Sequence, residues 1–358
     1  MTQKPIRSLL LVFAMLPALP VVGADDRRSN DRREAIRKAL QLQEERLDEL
    51  LDKDEREAID QLTRPDASGR KLVSVLVDQD DNLVDVHFDR GINTDDAALL
   101  RRVSKLGHLY LADLQTGISN AELALLKDVE MRGIMFWRSA LTDSGLAELT
   151  TCPKLKTLFI SNTEVTDAGL THLAKMPHLR RLTLGEGHFT EEGLEHVSKI
   201  QGLVWLHVYG WNGLNDESLR HLSSLVNLNR LSLGRSRRLT GASLIHLTGL
   251  SQLRRLELRE IPVDPENLVH IRPLSNLEVL SIKKTNLTDE GLANVAGLGE
   301  LSDIDVSRTE VSDEALATLA RLHGLTQIDL SGTHVTNAGL VHLAGMENLV
   351  SLELANTS

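Results

Sequence analysis

Three sets of residues in this 358-residue chain have the types and spacing to do chemistry. Asp303 and Asp305 lie two apart in an apolar stretch, so a strand would place both carboxylates on one side, about 7 Å apart, which loosely fits a glycosidase pair. Cys152 is the only cysteine and could act as a nucleophile. Six of the 13 histidines each precede Leu, Val or Ile and could bind a metal ion: His172, His196, His221, His246, His270 and His342.

For none of these three sets does the sequence supply the further residues that a catalytic or metal site needs. Histidines on separate helices 8 to 10 Å apart do not meet around one ion at about 2.1 Å. Cys152 precedes Pro153 without a basic neighbour, which favours a buried small apolar residue. The chain has no nucleophile elbow and no phosphate-binding glycine loop. We therefore expect no catalytic residue, cofactor or metal, and an enzyme whose site follows no motif is the alternative.

Residues 78–82 spell Asp-x-Asp-x-Asn, which resembles the start of a calcium-binding loop. Leu83 stands where an EF-hand loop needs glycine, and Asp89 stands where it needs glutamate. A turn without calcium is the favoured interpretation.

Residues 1–24 have the form of an export signal. Lys4 and Arg7 precede an apolar run that begins at Leu9 and is too short to span a bilayer. We expect cleavage after Ala24, a mature chain from about Asp25, and a periplasmic or extracellular location. No later segment is predicted to cross a membrane.

The charge balance argues against nucleic acid as a partner. The whole chain carries a formal charge of −11, and removal of Lys4 and Arg7 leaves 38 basic against 51 acidic side chains, or −13. A polyanion would be repelled overall, so only a local basic patch could bind DNA or RNA.

One pattern recurs about every 24 residues between Leu83 and Ser358: Leu-x-x-Leu-x-Leu, a short spacer, then Thr-Asp-x-Gly-Leu-x-x-Leu. The copy from Leu155 reads LKTLFISNTEVTDAGLTHLAKMPH. Its first part predicts a strand with Leu158 and Ile160 inward and Thr157, Phe159 and Ser161 outward. Thr166 is suited to cap a helix whose first turn contains Asp167. That helix would bury three residues: Leu170, Leu173 and Ala174.

Such units must stack to bury their apolar edges, because a single repeat has no core of its own. Strands about 4.8 Å apart beside helices 8 to 10 Å apart force curvature. The sequence therefore predicts a right-handed α/β solenoid, a horseshoe with a concave parallel sheet, convex helices and about eleven repeats plus a partial C-terminal one.

The repeat resembles the leucine-rich-repeat superfamily, and most of all its ribonuclease-inhibitor-like and cysteine-containing branches. The resemblance covers residues 83 to 358 and implies a binding scaffold rather than a particular chemistry. The Asn or Cys that these families place after the strand is mostly Thr here, as at Thr163, Thr285 and Thr309, and we expect Thr to bond the loop backbone instead.

Four regions follow from these patterns: an export signal (1–24), a charged helical segment and linker (25–69), an N-terminal capping hairpin (70–82) and the repeat domain (83–358). The charged segment carries one narrow apolar stripe, interrupted at Asp54 and Glu55, which is typical of a helix that docks on a solenoid end or links to the envelope.

The outward strand positions form columns along the concave sheet, and these columns locate the expected binding surface. The chain has only ten aromatic residues, yet five of them fall on outward positions. Exposed rings and arginines are the residue types that most often carry interface energy. We therefore expect a non-catalytic exported scaffold that binds a protein partner, with envelope glycan binding as the alternative. The expected binding residues are Tyr110, Trp137, Phe159, Trp205, His207, Tyr209, Arg230, Arg255 and Arg259.

Overall fold

The computed structural model describes residues 42–65, 73–77, 83–88, 90–112 and 118–358. The predicted export signal and the 78–82 turn lie outside these residues. Chain contacts divide the protein into two units, Met1–Leu50 and Leu51–Ser358. Residues 42–50 of the first unit are helical. No helix within the described ranges is both long and apolar enough to cross a bilayer.

A single sheet of thirteen strands runs through the described part of the second unit. β1 pairs with β2 in antiparallel fashion, and every later strand lies parallel to the one before it. The predicted α/β solenoid is confirmed. The strands are β1 (Val73–Val77), β2 (Val84–Phe88), β3 (Leu106–Ala112), β4 (Gly133–Trp137), β5 (Thr157–Ser161), β6 (Arg181–Leu184), β7 (Trp205–Tyr209), β8 (Arg230–Gly234), β9 (Arg255–Arg259), β10 (Val279–Ser281), β11 (Asp303–Asp305), β12 (Gln327–Asp329) and β13 (Ser351–Glu353).

The alternation in β5 shows why these segments form strands that bury one side. Leu158 and Ile160 are fully buried, whereas Thr157 and Phe159 are half-buried on the opposite side. The prediction that Ser161 would be exposed is wrong. Ser161 is buried, and its hydroxyl oxygen accepts a hydrogen bond from the hydroxyl of Tyr209.

The outer layer consists of short α-helices and 3₁₀ helices. The α-helices after β2 are Thr94–Leu100, Asn120–Ala124, Asp143–Glu148, Asp167–Leu170, Glu191–Ser198, Asp289–Leu292 and Asp313–Leu319. The 3₁₀ helices are Leu149–Thr151, Thr171–Lys175, Glu217–Ser224, Ala242–Leu247, Pro265–Ile271, Ala293–Val295 and Gly339–Gly345.

This 3₁₀ geometry corrects one predicted core residue. Asp167–Leu170 is α-helical but Thr171–Lys175 is a 3₁₀ helix, which has three residues per turn. Leu170, Leu173 and Met176 consequently share the buried side. Ala174, predicted from an α-helical period to be in the core, is exposed.

A row of left-handed residues ends the strands. Arg138, Arg235 and Arg308 have φ of 51°, 53° and 57°. Their N–H groups donate to Ser161, Arg259 and Ser331 of the following repeat at 3.0, 2.9 and 2.8 Å. These bonds between repeats offset the cost of left-handed backbone at residues other than glycine.

Threonine after the strand makes the predicted bonds to the loop backbone. The hydroxyls of Thr285, Thr309 and Thr333 donate to the carbonyls of Ile282, Val306 and Leu330 at 2.8, 2.6 and 2.6 Å. These side chains are buried, so each bond satisfies a hydroxyl that would otherwise be desolvated without a partner.

The helix Lys53–Leu62 packs on the first repeat helix, Thr94–Leu100. Asp52 caps it in a reciprocal capping box with Glu55. A carboxylate oxygen of Glu55 also accepts bonds from the Ser104 N–H and hydroxyl at 2.8 and 2.5 Å. The acidic residues that interrupt the apolar stripe thus begin a helix and attach it to the solenoid.

Candidate binding surface

The outward strand positions form the concave face of the sheet, and their observed register matches the predicted columns. Strand pairing aligns the central column step by step from β2 to β13. That column contains His87, Tyr110, Met135, Phe159, Thr183, His207, Ser232, Glu257, Ser281, Asp305, Asp329 and Glu353.

The five predicted surface aromatics all lie on the concave face and are half-buried: Tyr110, Trp137, Phe159, Trp205 and Tyr209. Their strand neighbours, such as Phe136 and Leu206, are fully buried on the other side of the sheet. Phe159 pairs with Met135 on one side and Thr183 on the other. The rings therefore occupy a shared surface that spans strands β3 to β7.

Trp205 lies between two arginines from the neighbouring strands. Its register partners are Arg181 on β6 and Arg230 on β8. The guanidinium carbons lie 5.8 and 5.9 Å from the ring centroid. This is cation–π distance, so the ring holds the two cations beside it.

Tyr209 reaches across a glycine to the strand two repeats earlier. Its hydroxyl donates to Ser161 Oγ at 2.9 Å. A Cβ on Gly185 would lie 2.6 Å from the Tyr209 ring, so glycine is what leaves room for the tyrosine. Burial raises the pKa of Tyr209 and lowers that of His207, whose ring lies 5.0 Å away. Both side chains are neutral near pH 7.

Sequence reasoning missed a polar cluster at the first two repeats. Asp85, which is 9% exposed, accepts hydrogen bonds from the His108 backbone at 2.8 Å and from the Tyr110 hydroxyl at 3.1 Å. His108 Nδ1 lies 3.1 Å from the same carboxylate. Gly133 could have indicated this cluster from the sequence, because a Cβ at that position would overlap the His108 ring.

His87 stacks on Tyr110 in the same cluster. Their ring centroids are 4.0 Å apart and the planes differ by 2°. Burial lowers the pKa of His87 to about 4, although Asp85 opposes the shift. His87 is therefore a neutral, packed ring at ordinary pH.

Glu257 binds both arginines of its own strand. Arg255 and Arg259 lie 3.3 and 3.4 Å from its carboxylate oxygens, and the Ser232 hydroxyl donates to it at 3.2 Å. Outward residues two apart on one strand are neighbours, so alternation places Glu257 between the two arginines, but it does not determine the rotamers that bring their charged groups together. Glu257 therefore pairs with two of the arginines expected to bind a partner, Arg255 and Arg259, and cancels one of their two charges.

The acidic pair on β11 shows opposite pKa shifts. Burial raises the pKa of Asp303. Burial acts the same way on Asp305, but hydrogen bonds from Ser307 and Lys283 outweigh it and lower that pKa. Lys283 lies 3.0 Å from Asp305, so this carboxylate already has a cationic partner.

The repeated pattern is also recognised by comparison with known proteins. Residues 274–296 match a family model described as a leucine-rich repeat. The chain is a protein of leucine-rich-repeat fold. Among solved structures, it is similar to an internalin (InlF) from Listeria monocytogenes, at 22% identity and a TM-score of 0.54, over 72% of this chain and 70% of that one.

A second internalin of Listeria monocytogenes, internalin C2, is 25% identical with a TM-score of 0.46, over 59% of this chain and 84% of its own. No curated protein matches the chain in sequence.

The helical histidines of the leucine-rich repeats recur without assembling a ligand set. No group of three or more metal-ligating side chains occurs within the described residues. His196 and His221 instead lie 3.8 and 3.7 Å from Glu192 and Glu191 on the same helical layer. Cys152 is buried as predicted, and burial raises its pKa to about 12.

Proposed function

We propose that this protein is an exported, non-catalytic scaffold that binds another protein through the concave face of its leucine-rich-repeat solenoid. One observation carries the proposal: five half-buried aromatic side chains occupy outward positions on the strands of one sheet face. Half-buried rings lose further water contact when a partner covers them, and such rings are typical interface anchors.

The arginines of the same surface support a protein partner. Arg230 is exposed beside Trp205, and mixed aromatic and guanidinium surfaces are enriched at protein interfaces. Arg255 and Arg259 are paired with Glu257, so we assign them to the edge of the interface rather than its centre.

Glycan binding is the second candidate, because Trp137, Trp205 and Tyr209 offer rings on which sugars could stack. The arrangement of Trp205 favours protein over glycan. A guanidinium carbon from each neighbouring strand lies 5.8 or 5.9 Å from its ring centroid, so a sugar stacked on this ring would have to compete with two cations.

Export belongs to the same proposal and rests on residues 1–24 alone. Removal of this segment would give a mature chain from about Asp25 in the periplasm or outside the cell. We further assign the repeats to the ribonuclease-inhibitor-like or cysteine-containing type on their Thr-Asp-x-Gly-Leu signature. Mass spectrometry of the N-terminal peptide of the protein recovered from the cell envelope and the culture medium tests this cleavage.

Affinity capture from envelope and culture fractions of the source organism tests the binding function. The wild-type chain is compared with a Phe159→Ala, Trp205→Ala, Tyr209→Ala variant. The matched control is Val226→Ala, Ile245→Ala, Val269→Ala, which removes three exposed apolar side chains outside the strands. Circular dichroism first establishes that both variants fold.

We expect a protein enriched by the wild type and the control but lost with the aromatic variant. Equal recovery by all three would place the interface elsewhere on the chain. A polysaccharide recovered in place of a protein would favour the glycan candidate.

A further inference from the structure

Two arginines on the concave face differ from Arg255 and Arg259 in their surroundings. Arg181 and Arg230 are both exposed, and no salt bridge to either occurs among the described residues. On this face, both guanidinium groups lie beside the Trp205 ring, which is between them. We call these three residues the Arg–Trp–Arg stack.

The central column explains why these two arginines differ from Arg255 and Arg259. On β9 the central residue is Glu257, which binds both of its flanking arginines. On β6, β7 and β8 the central residues are Thr183, His207 and Ser232, and none of them is negative. Burial lowers the pKa of His207, so this side chain is neutral rather than cationic near pH 7. Within the part of the chain that the structure describes, the guanidinium groups of the stack thus have no carboxylate partner on the sheet.

Resting on the proposed function, we propose that the Arg–Trp–Arg stack binds the carboxylate side chains of an extended acidic segment of the partner protein. Arginine presents a planar fork that matches a carboxylate in bidentate fashion. Stacking on Trp205 restricts each guanidinium before the partner arrives, which reduces the entropy lost on binding.

The spacing of the stack selects the form of the segment. Arg181 and Arg230 lie two strands apart, which is about 9.6 Å along the sheet. In an extended polyproline II segment, residues three apart lie on the same side and are separated by about 9.3 Å, because this conformation has three residues per turn and rises about 3.1 Å per residue. The stack therefore fits acidic residues at positions i and i+3 of a segment that runs across the strands.

The surroundings of the stack argue for a short acidic segment rather than a long polyanion. Glu257 pairs with the next two arginines and cancels one of their two charges, and the carboxylates of Asp303 and Asp305 follow on β11. The whole chain is negative, at −11. A uniform polyanion along the sheet would meet these carboxylates and be repelled.

The test uses the full chain and fluorescein-labelled 12-residue peptides, with fluorescence anisotropy at low ionic strength. The probe contains one Glu-Ala-Ala-Glu motif in a Gly/Ser background, and the control peptide has Gln in place of both Glu residues. The protein variants are Arg181→Gln, Arg230→Gln and the double variant. Arg235→Gln is the matched control, because Arg235 is also exposed but is paired with Glu186 beyond the end of its strand.

We expect each single variant to bind the acidic peptide about fivefold more weakly and the double variant at least about 20-fold more weakly. Arg235→Gln should stay within about twofold of wild type. The inference is overturned if the wild type does not bind the acidic peptide, if the Gln peptide binds equally well, or if the double variant retains wild-type affinity. Tighter binding of polygalacturonate, lost in the double variant, would also overturn it in favour of an anionic glycan.

Failure of acidic-peptide binding can be distinguished from failure of the proposed scaffold function. If a captured protein is lost with the aromatic variant but the acidic peptide does not bind, the scaffold function stands and only the acidic-segment inference fails. If protein capture is also independent of the aromatic residues, both fail.

Discussion

Asp143 of one repeat accepts two hydrogen bonds from Thr166 of the next, from its backbone N–H and its hydroxyl, each at 2.7 Å. Gly169 belongs to the same contact, because a Cβ there would lie 2.4 Å from an Asp143 carboxylate oxygen. The Thr, Asp and Gly of the repeat signature are therefore parts of one contact between repeats. Equivalent pairs are Asp167 with Thr190, Asp216 with Thr240, Asp289 with Ser312 and Asp313 with Thr336.

Asp143→Ala should lower the free energy of unfolding by about 2 kcal/mol, because the Thr166 N–H and hydroxyl lose a charged acceptor. Asp143→Asn, which keeps one acceptor oxygen, should lose less. Urea unfolding followed by circular dichroism measures both. An Ala variant as stable as wild type would show that the contact contributes nothing.

Gly169→Ala should destabilise the solenoid, because the added methyl group overlaps both the Asp143 carboxylate and its Cα, 3.1 Å away. We expect a loss of about 1 to 3 kcal/mol from overpacking. Gly249→Ala is the matched control, since its Cβ would meet nothing within 4 Å. Equal unfolding midpoints for the two variants would contradict the assigned role of Gly169.

The sequence was sufficient for the fold and the register, because a period of about 24 residues leaves little freedom in stacking. Thr166 was expected to cap its own helix, and it does so by accepting from the Ala168 N–H. The bonds from Thr166 to Asp143 were not foreseen, since periodicity places residues on faces but does not assign partners between repeats.

The binding surface was predictable only in outline. The columns followed from strand alternation, whereas the pairing of Glu257 with Arg255 and Arg259 depends on rotamers that alternation does not determine. The cluster around the buried Asp85 was missed for a different reason. An aspartate at an outward strand position is ordinarily exposed to solvent, so its burial was not expected.

His87 should make the protein less stable in mild acid. Its pKa is about 4 in the folded protein and 6.5 when unfolded, because burial beside Tyr110 disfavours the charged ring. The unfolded chain thus binds more protons between these values, and stability falls as pH drops from 6.5 towards 4. The contribution is about 3 kcal/mol at most.

His87→Phe should reduce this acid sensitivity while keeping a ring on Tyr110. Urea unfolding at pH 7.5 and pH 5 provides the comparison, with the exposed His323→Gln as control. Asp85 and His108 also face His87, and burial lowers the pKa of His207 in the same direction, so part of the dependence should remain. An unchanged difference between the two pH values in His87→Phe would contradict this assignment.

Cys152 should be unreactive in the folded protein. Burial raises its pKa to about 12, so almost no thiolate exists at pH 8. A disulfide reagent such as Ellman's should modify it at least about 100-fold more slowly in buffer than in 6 M guanidinium chloride. Equal rates in the two solutions would show that the thiol is accessible in the native protein.

Site-specific photo-crosslinking in the source organism tests whether a partner protein binds the concave face. A benzoylphenylalanine at Phe159 on the concave face is compared with one at Ile245, which is 49% exposed on the 3₁₀ helix Ala242–Leu247. We expect a discrete protein adduct from position 159 that is absent from position 245. An adduct from position 245 alone, or the same adduct from both positions, would contradict binding through the concave face.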